Sequence, residues 1–289
     1  MNLWQQYVRP TSVVEAVTAL TSAPGPALPL AGGTDILLDL QQGRHSPVHT
    51  IVDLTEIPEM NLLETRDERL FIGGGVPLSR IARDPLVLTH ARALVEACDL
   101  VGGPQVRNVA TLGGNVAHAL PAADGTIGLL CLDAEAEVAG AEGVRFLPLP
   151  QLFLGPGKSA LQPGQIIVGF YVPQQKTGQA SCFKRIMRPQ GVALPIINLA
   201  VWLERSDETI NKIRLAVGPG GAVPFRARKL EASIAGKPYS DDTFKSALDA
   251  LVAEVTFRTS AMRATSEYRY HLVVSLLKDT LEAAWERAE

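Results

Sequence analysis

Two short segments of the chain combine paired glycines with small polar residues. The first, residues 31–35, reads Ala-Gly-Gly-Thr-Asp, and the second, residues 111–115, reads Thr-Leu-Gly-Gly-Asn. Glycine allows positive φ angles and lets the backbone approach a ligand without an intervening Cβ atom. Successive N–H groups in such a turn form a concavity that binds anions. Two of these segments facing each other could therefore hold a diphosphate without lysine or arginine.

Polar side chains in and after these segments could add further hydrogen bonds. Thr34, Thr111 and Asn115 are suitable partners, and Asp124 could accept a hydrogen bond from a ribose or ribityl hydroxyl. Ordinary tight turns use the same residue types, so the spacing alone leaves both interpretations open. Two further glycine runs, residues 73–75 and 218–221, lack the pattern of a Rossmann site or a P-loop, and both are predicted to be turns.

Hydrophobic periodicity predicts the elements that would position the two segments. A strand at 27–30 should end at the first segment, with a short helix at 36–40 after it, and the second segment should likewise follow an apolar strand. Ser12 is a candidate N-cap with Glu15 as its capping-box partner. Other predicted elements of this part are strands at 50–54, 134–139, 143–148 and 165–171, a hairpin at 62–72, and helices at 12–21, 78–83, 88–99 and 126–132.

A polar stretch at 174–179 is the expected linker to a second unit. After it the pattern changes to three antiparallel strands followed by helices, which is typical of an α+β domain. The strands are predicted at 180–187, 194–204 and 209–217, and the helices at 226–235, 240–254 and 264–286.

Composition excludes several classes of function. The 289 residues carry a formal net charge of −3 and no basic run, so nucleic-acid binding is not expected. The three cysteines (Cys98, Cys131 and Cys182) form no C-x-x-C pair, and the histidines lack metal-ligand spacing, so no metal site is predicted. With neither a secretory signal nor an apolar run long enough to span a bilayer, a cytoplasmic protein is expected.

Several sequence motifs, in order, resemble those of one family. The first glycine segment and residues 111–124 resemble the two flavin-binding loops of the molybdenum hydroxylase flavoproteins. These are the medium subunits of aerobic carbon monoxide dehydrogenase, xanthine dehydrogenase and 4-hydroxybenzoyl-CoA reductase. Gly218-Pro219 with residues 224–227 is similar to the family's second-domain loop, and residues 266–269 resemble its C-terminal helix signature.

The resemblance implies an α+β fold of the vanillyl-alcohol-oxidase (PCMH) type. Residues 1–175 would form the FAD-binding domain, with subdomains at about 1–56 and 57–175 and the cofactor between them. Residues 180–289 would form a small C-terminal α+β domain, a three-stranded antiparallel sheet with helices, that closes over the flavin.

The resemblance also implies which residues contact FAD, and it implies no catalytic acid or base on this chain. The expected contacts are Leu30, Ala31, Gly32, Gly33, Thr34, Asp35, Ile36, Val101, Thr111, Gly113, Gly114, Asn115, Asp124, Ile167 and Lys184. A lysine near the flavin would stabilise its anionic reduced form, because opposite charges attract strongly in a partly dry site.

The implied function is that of an electron-transfer subunit in a heterotrimer. Electrons would come from 2Fe-2S clusters on a small partner, after substrate reacts at the molybdopterin cofactor of a large partner. FAD on this chain would pass them to NAD, a quinone or oxygen. The alternative is a self-sufficient flavin oxidoreductase with its own small-molecule substrate, which would need a general acid or base beside the flavin.

Overall fold

The structure, a computed structural model, describes residues 2–188 and 194–289. Its first unit is a three-stranded parallel sheet in the order β1-β3-β2 with two helices. The elements are β1 (Trp4–Val8), α1 (Val13–Thr21), β2 (Ala27–Leu30), α2 (Ile36–Gln41) and β3 (Val48–Asp53).

Helix α1 begins at the predicted N-cap. The Ser12 hydroxyl accepts a hydrogen bond from the Glu15 N–H at 3.2 Å. The Glu15 carboxylate accepts most closely from the Thr11 N–H, at 2.8 Å, and from its hydroxyl, at 3.0 Å; together with the Ser12 N–H these donors lower the pKa of Glu15. The cap therefore fixes the start of α1 through Thr11 as well as Ser12.

The second unit is built on a five-stranded antiparallel sheet in the order β4-β5-β10-β6-β7, with a separate hairpin of β8 and β9. Its strands are β4 (Leu63–Arg66), β5 (Arg69–Gly73), β6 (Glu135–Gly140), β7 (Gly143–Pro148), β8 (Phe153–Gly155), β9 (Lys158–Ser159) and β10 (Ile166–Pro173). Its helices are α3 (Leu78–Ile81), α4 (Pro85–His90), α5 (Arg92–Leu100), α6 (Pro104–Arg107), α7 (Leu112–Ala117) and α8 (Asp124–Cys131).

The predicted helix at 88–99 is two helices in the structure. Asp84 caps α4 by accepting from the Leu86 and Val87 N–H groups, with Pro85 in the first turn. Ala91 then leaves the helical region, at φ −143° and ψ 49°, and α5 starts at Arg92. The strong start signal at Asp84-Pro85 thus begins a separate short helix before the long one.

The third unit is an antiparallel sheet with three helices. Its three long strands were predicted, and two strands of two residues each extend the sheet beside the third long strand. The elements are β11 (Gln179–Ile186), β12 (Ile197–Ser206), β13 (Thr209–Gly218), β14 (Phe225–Arg226), α9 (Arg228–Ile234), β15 (Lys237–Pro238), α10 (Asp241–Glu254) and α11 (Ser266–Arg287).

One apolar cluster joins the second and third units. It contains Leu94 of α5, Ile127 of α8 and Phe170 of β10, and it continues into Phe183 and Trp202 on the third sheet. The opposite face of that sheet packs on α9, α10 and α11 in a cluster of its own. The third sheet is therefore covered on both faces, and strand alternation decides which residues face the second unit.

The predicted α+β class is confirmed. Within the part of the chain that the structure describes, none of the helices combines the length and the hydrophobicity that crossing a membrane requires.

Candidate functional site

The first glycine segment connects β2 to α2, and several of its backbone N–H groups are open, that is, without a hydrogen-bond acceptor in the described residues. Gly33 has a φ of +68°, in the left-handed region that favours glycine. Within residues 2–188 and 194–289, the N–H groups of Gly32, Gly33, Thr34 and Asp35 have no hydrogen-bond acceptor. The flanking Leu30 is buried, and residues 31–34 and Ile36 are half-buried. Four consecutive open donors in a half-buried turn suit an anionic ligand.

This segment rests directly on the residues before the second one. A Cβ atom built on Gly32 would lie 2.0 Å from the carbonyl oxygen of Val109 and 2.8 Å from the Cα of Ala110. Real Cβ atoms never come so close to another backbone, so only glycine fits at this position. The close approach brings the two glycine segments, far apart in sequence, to one place.

The second segment differs from its prediction. It does not follow a strand: Thr111 is the N-cap of α7, and both Gly113 and Gly114 lie in the first turn of that helix. Its donors are already used, since Leu112 donates to Val76 O, Gly113 to Gly74 O and Gly114 to the Thr111 hydroxyl. Of the two segments, the first therefore carries the open donors.

Gly113 belongs to a stack of three backbone segments. A Cβ on Gly113 would lie 2.7 Å from Gly74 O, and a Cβ on Gly74 would lie 2.6 Å from Ile167 O. The Gly113 N–H donates to Gly74 O at 2.9 Å, and the Gly74 N–H donates to Val168 O at 2.7 Å. This stack fixes the start of α7 against the second sheet and places Ile167 next to Gly74.

An ion pair links the two segments a second time. The His118 ring Nδ1, just past α7, lies 3.3 Å from the Asp35 carboxylate. The hydrogen bond that the His118 ring donates to the Asp35 carboxylate raises the pKa of His118, although burial opposes it. The same hydrogen bond lowers the pKa of Asp35. Protonated His118 therefore offsets the carboxylate charge that stands beside the open donors.

Asp124, the predicted partner of a cofactor hydroxyl, lies in a buried network between the second and third units. Arg185 Nη1 of β11 lies 2.5 Å from its Oδ2, and the Asn198 amide of β12 donates to its Oδ1 at 2.6 Å. The side chains of Asp124 and Arg185 are 4% and 5% exposed. Arg185 Nε and Asn198 Oδ1 are buried without a partner in the described residues. The network carries a donor and an acceptor that remain free for another group.

The remaining predicted residues lie around this centre. Asn115 Oδ1 accepts from the Thr126 N–H at 3.2 Å, which ties α7 to α8. Val101 caps α5, and its carbonyl accepts from Arg107 at 3.2 Å.

Lys184 is half-buried and pairs with Leu199 across the third sheet. It therefore lies on the face that packs against the C-terminal helices, opposite to Arg185. In the described ranges Lys184 makes neither a hydrogen bond nor an ion pair with the glycine segments.

Sequence reasoning missed Arg185, Asn198 and the bridging role of His118. Two signals were available. Arg185 shares a strand face with the buried Phe183, two residues before it. Asn198 interrupts an apolar run, where a polar residue must be buried with partners. Nothing in the sequence pairs His118 with Asp35, since that contact depends on how the two segments meet.

The arrangement fits a cofactor with a diphosphate and a polyol. Open N–H groups at 32–35 match phosphate oxygens, and the contact of Gly32 with the Val109 carbonyl leaves no room for a Cβ. The free polar atoms beside Asp124 match a hydroxyl. The described residues offer no group of three or more side chains suited to a metal ion.

Comparison with known proteins identifies relatives over nearly the full length. Residues 3–175 match the FAD binding domain in molybdopterin dehydrogenase, and residues 181–284 match the CO dehydrogenase flavoprotein C-terminal domain. The xanthine dehydrogenase FAD-binding subunit of Escherichia coli O157:H7 is 31% identical over 283 residues, which cover 96% of this chain and 95% of that protein.

A second relative has a solved counterpart. The carbon monoxide dehydrogenase medium chain of Hydrogenophaga pseudoflava is 27% identical over 282 residues, covering 98% and 97% of the two chains. A structure of carbon monoxide dehydrogenase from that organism matches with a TM-score of 0.92 at 27% identity, over 98% of both chains.

We predict that Gly32→Ala abolishes tight flavin binding. The new Cβ would meet Val109 O and push the first segment away, so FAD affinity should fall at least about tenfold, a loss of about 1.4 kcal/mol. Fluorescence titration of the apoprotein with FAD measures this. Gly155→Ala is the control, because its Cβ would meet nothing closer than 3.7 Å. Equal affinities for the two variants would contradict the prediction.

We also predict a measurable pH window for the pair of Asp35 and His118. Because the pKa of His118 is raised, its contribution is complete below its ordinary value of 6.5 and is lost as pH rises through the folded pKa. Because the pKa of Asp35 is lowered, its contribution is complete above 3.8 and is lost as pH falls through the folded pKa. NMR titration should give His118 a pKa above 6.5 that Asp35→Asn lowers; an unchanged pKa in that variant would refute the ion pair.

Proposed function

The chain belongs to the family of FAD-binding subunits of molybdenum-containing dehydrogenases, which are oxidoreductases, and on that premise we propose that it is the electron-transfer subunit of a heterotrimer. It would take electrons from 2Fe-2S clusters on a small subunit and pass them to NAD, a quinone or oxygen. A large subunit would hold the molybdopterin and the substrate. The observation that carries the proposal is the set of four open N–H groups at residues 32–35.

Bound FAD supplies the redox group, and the contribution of this chain is to hold it. We propose that the first segment binds the diphosphate through the N–H groups of Gly32 to Asp35, while the flanking Leu30, Ala31 and Ile36 set the turn. Thr111, Gly113, Gly114 and Asn115 would form the opposite wall. Asp124 would receive a cofactor hydroxyl, supported by the free polar atoms of Arg185 and Asn198 beside it. The family resemblance also implies FAD contacts for Val101, Ile167 and Lys184.

We propose the domain division implied by the same resemblance, residues 1–175 in two subdomains of about 1–56 and 57–175, and residues 180–289. The separate three-stranded and five-stranded sheets support the first division, and the third sheet supports the second. A layer of α5 and α8 between the second and third sheets would exclude water from one side of the cofactor.

The partners are proposed from the chemistry of this chain and from the names of its relatives. Those names are "medium chain" and "FAD-binding subunit". Burial raises the pKa of all three cysteine thiols, that of Cys182 to about 12, so they stay protonated and are poor ligands for iron. Clusters that deliver electrons would then lie on another chain. Free, buried thiols also support a cytoplasmic location.

The test is the composition and activity of the complex purified from the native host through a tag on this chain. We expect two additional chains, with one molybdenum and about four irons per FAD, as two 2Fe-2S clusters require. Substrate should reduce the flavin only when the partners are present. Full substrate turnover by this chain alone would contradict the proposal and favour a self-sufficient flavin oxidoreductase.

A further inference from the structure

Four arginines lie together where β11 ends, β12 begins and α11 starts. Arg188 Nη2 donates to Arg263 O at 3.4 Å, and Arg269 Nε donates to Ile196 O at 2.9 Å. The Arg269 guanidinium also donates to Arg258 O. The arginine patch is defined here as these four arginines with four exposed apolar residues. Met187, Met262 and Tyr268 each adjoin one of the arginines in sequence, and Leu194 lies two residues before Ile196.

The arginine patch lacks compensating negative charge. Most arginines of the chain have a carboxylate within 4.0 Å, whereas in the described ranges none of these four does. Residues 189–193, which lie outside those ranges, read Pro-Gln-Gly-Val-Ala and contain no acid. The whole chain has a net charge of −3, so this cluster departs from the average surface.

Burial makes the imbalance costly. Arg269 is 1% exposed, and its only partners in the described ranges are two backbone carbonyls. Burial, then the neighbouring Arg263 and Arg258, lower the pKa of Arg269. A buried cation among like charges is destabilising unless an anion compensates it. Within the described ranges no carboxylate pairs with Arg269, which favours a counter-charge from another molecule.

The apolar residues around the arginines favour a protein over a small anion. Met262 is 80% exposed, Leu194 60% and Tyr268 48%. Arginine, methionine and tyrosine are enriched in protein interfaces, where lysine and the acidic residues are depleted. A phosphate would need the guanidinium groups alone and would leave these side chains in water.

The patch also adjoins the candidate cofactor site. Arg185, which pairs with Asp124, donates through Nη2 to the Met187 sulfur at 3.1 Å. A protein bound to the patch would therefore lie beside the buried network at the same end of β11.

We propose that the arginine patch is the docking surface for an acidic face of a partner subunit in the same complex. The inference rests on the proposed function, because it takes the partner from the heterotrimer. Complementary charge there would orient the partner and speed its association, with a dependence on ionic strength.

The test replaces two arginines by glutamate, Arg258→Glu with Arg263→Glu, and measures molybdenum and iron per FAD in the tagged complex. We expect at least about a tenfold loss of both metals, because like charges would then face each other. FAD content should not change, and the unfolding temperature of the chain should not fall, because the new carboxylates replace like charges beside Arg269. Met262→Asp, at an exposed position, should lower metal content in the same direction. The control is Arg83→Glu with Arg145→Glu, since both residues are exposed and lack ion pairs in the described ranges.

Each outcome separates the alternatives. Metal content equal to that of the control would overturn the docking surface while leaving the proposed function intact. The variant could also assemble normally while inorganic phosphate raises the unfolding temperature of the wild-type chain but not of the variant. That result would assign the patch to a small anion and would overturn the docking surface. If the tagged wild-type chain purifies with FAD but without molybdenum or iron, the proposed function is contradicted, and the docking surface with it.

Discussion

The close approach of Gly32 to the Val109 carbonyl is the contact on which the candidate site depends. It joins a turn of the first unit to the segment that precedes α7 in the second, and a side chain on Gly32 would separate them. The start of α7 is in turn held by the stack of Gly113, Gly74 and Ile167. The site is thus a product of backbone packing, and charged side chains adjust it.

The third unit is joined to the second through a buried ion pair. Arg185 and Asn198 reach across to Asp124, and the shared apolar cluster keeps the third sheet against α5 and α8. Breaking one partner of a buried pair leaves an uncompensated charge, which typically costs about 3–5 kcal/mol. The contact therefore couples the position of the C-terminal domain to the residue proposed to receive a cofactor hydroxyl. The same end of the sheet carries the arginine patch, so cofactor site and docking surface are neighbours.

Much of this architecture could be predicted because it depends on local signals. Ser12 caps α1, the strand at 27–30 ends at the first glycine segment, and the three long strands after residue 178 follow from alternation. Where a prediction was wrong, a competing local signal was overlooked. Asp84-Pro85 starts a separate helix before Arg92, and Thr111 caps a helix that makes the second glycine pair part of its first turn. The contacts of Gly32 with Val109, His118 with Asp35 and Arg185 with Asp124 join distant residues, and no single-sequence pattern encodes such pairs.

We propose that the N–H groups of residues 32–35 bind the diphosphate. An experimental structure of the FAD-loaded protein tests it most directly. We expect phosphate oxygens within about 2.7–3.2 Å of amide nitrogens between Gly32 and Asp35, with the start of α7 on the opposite side. A diphosphate bound elsewhere, with those four amides still facing water, would contradict it.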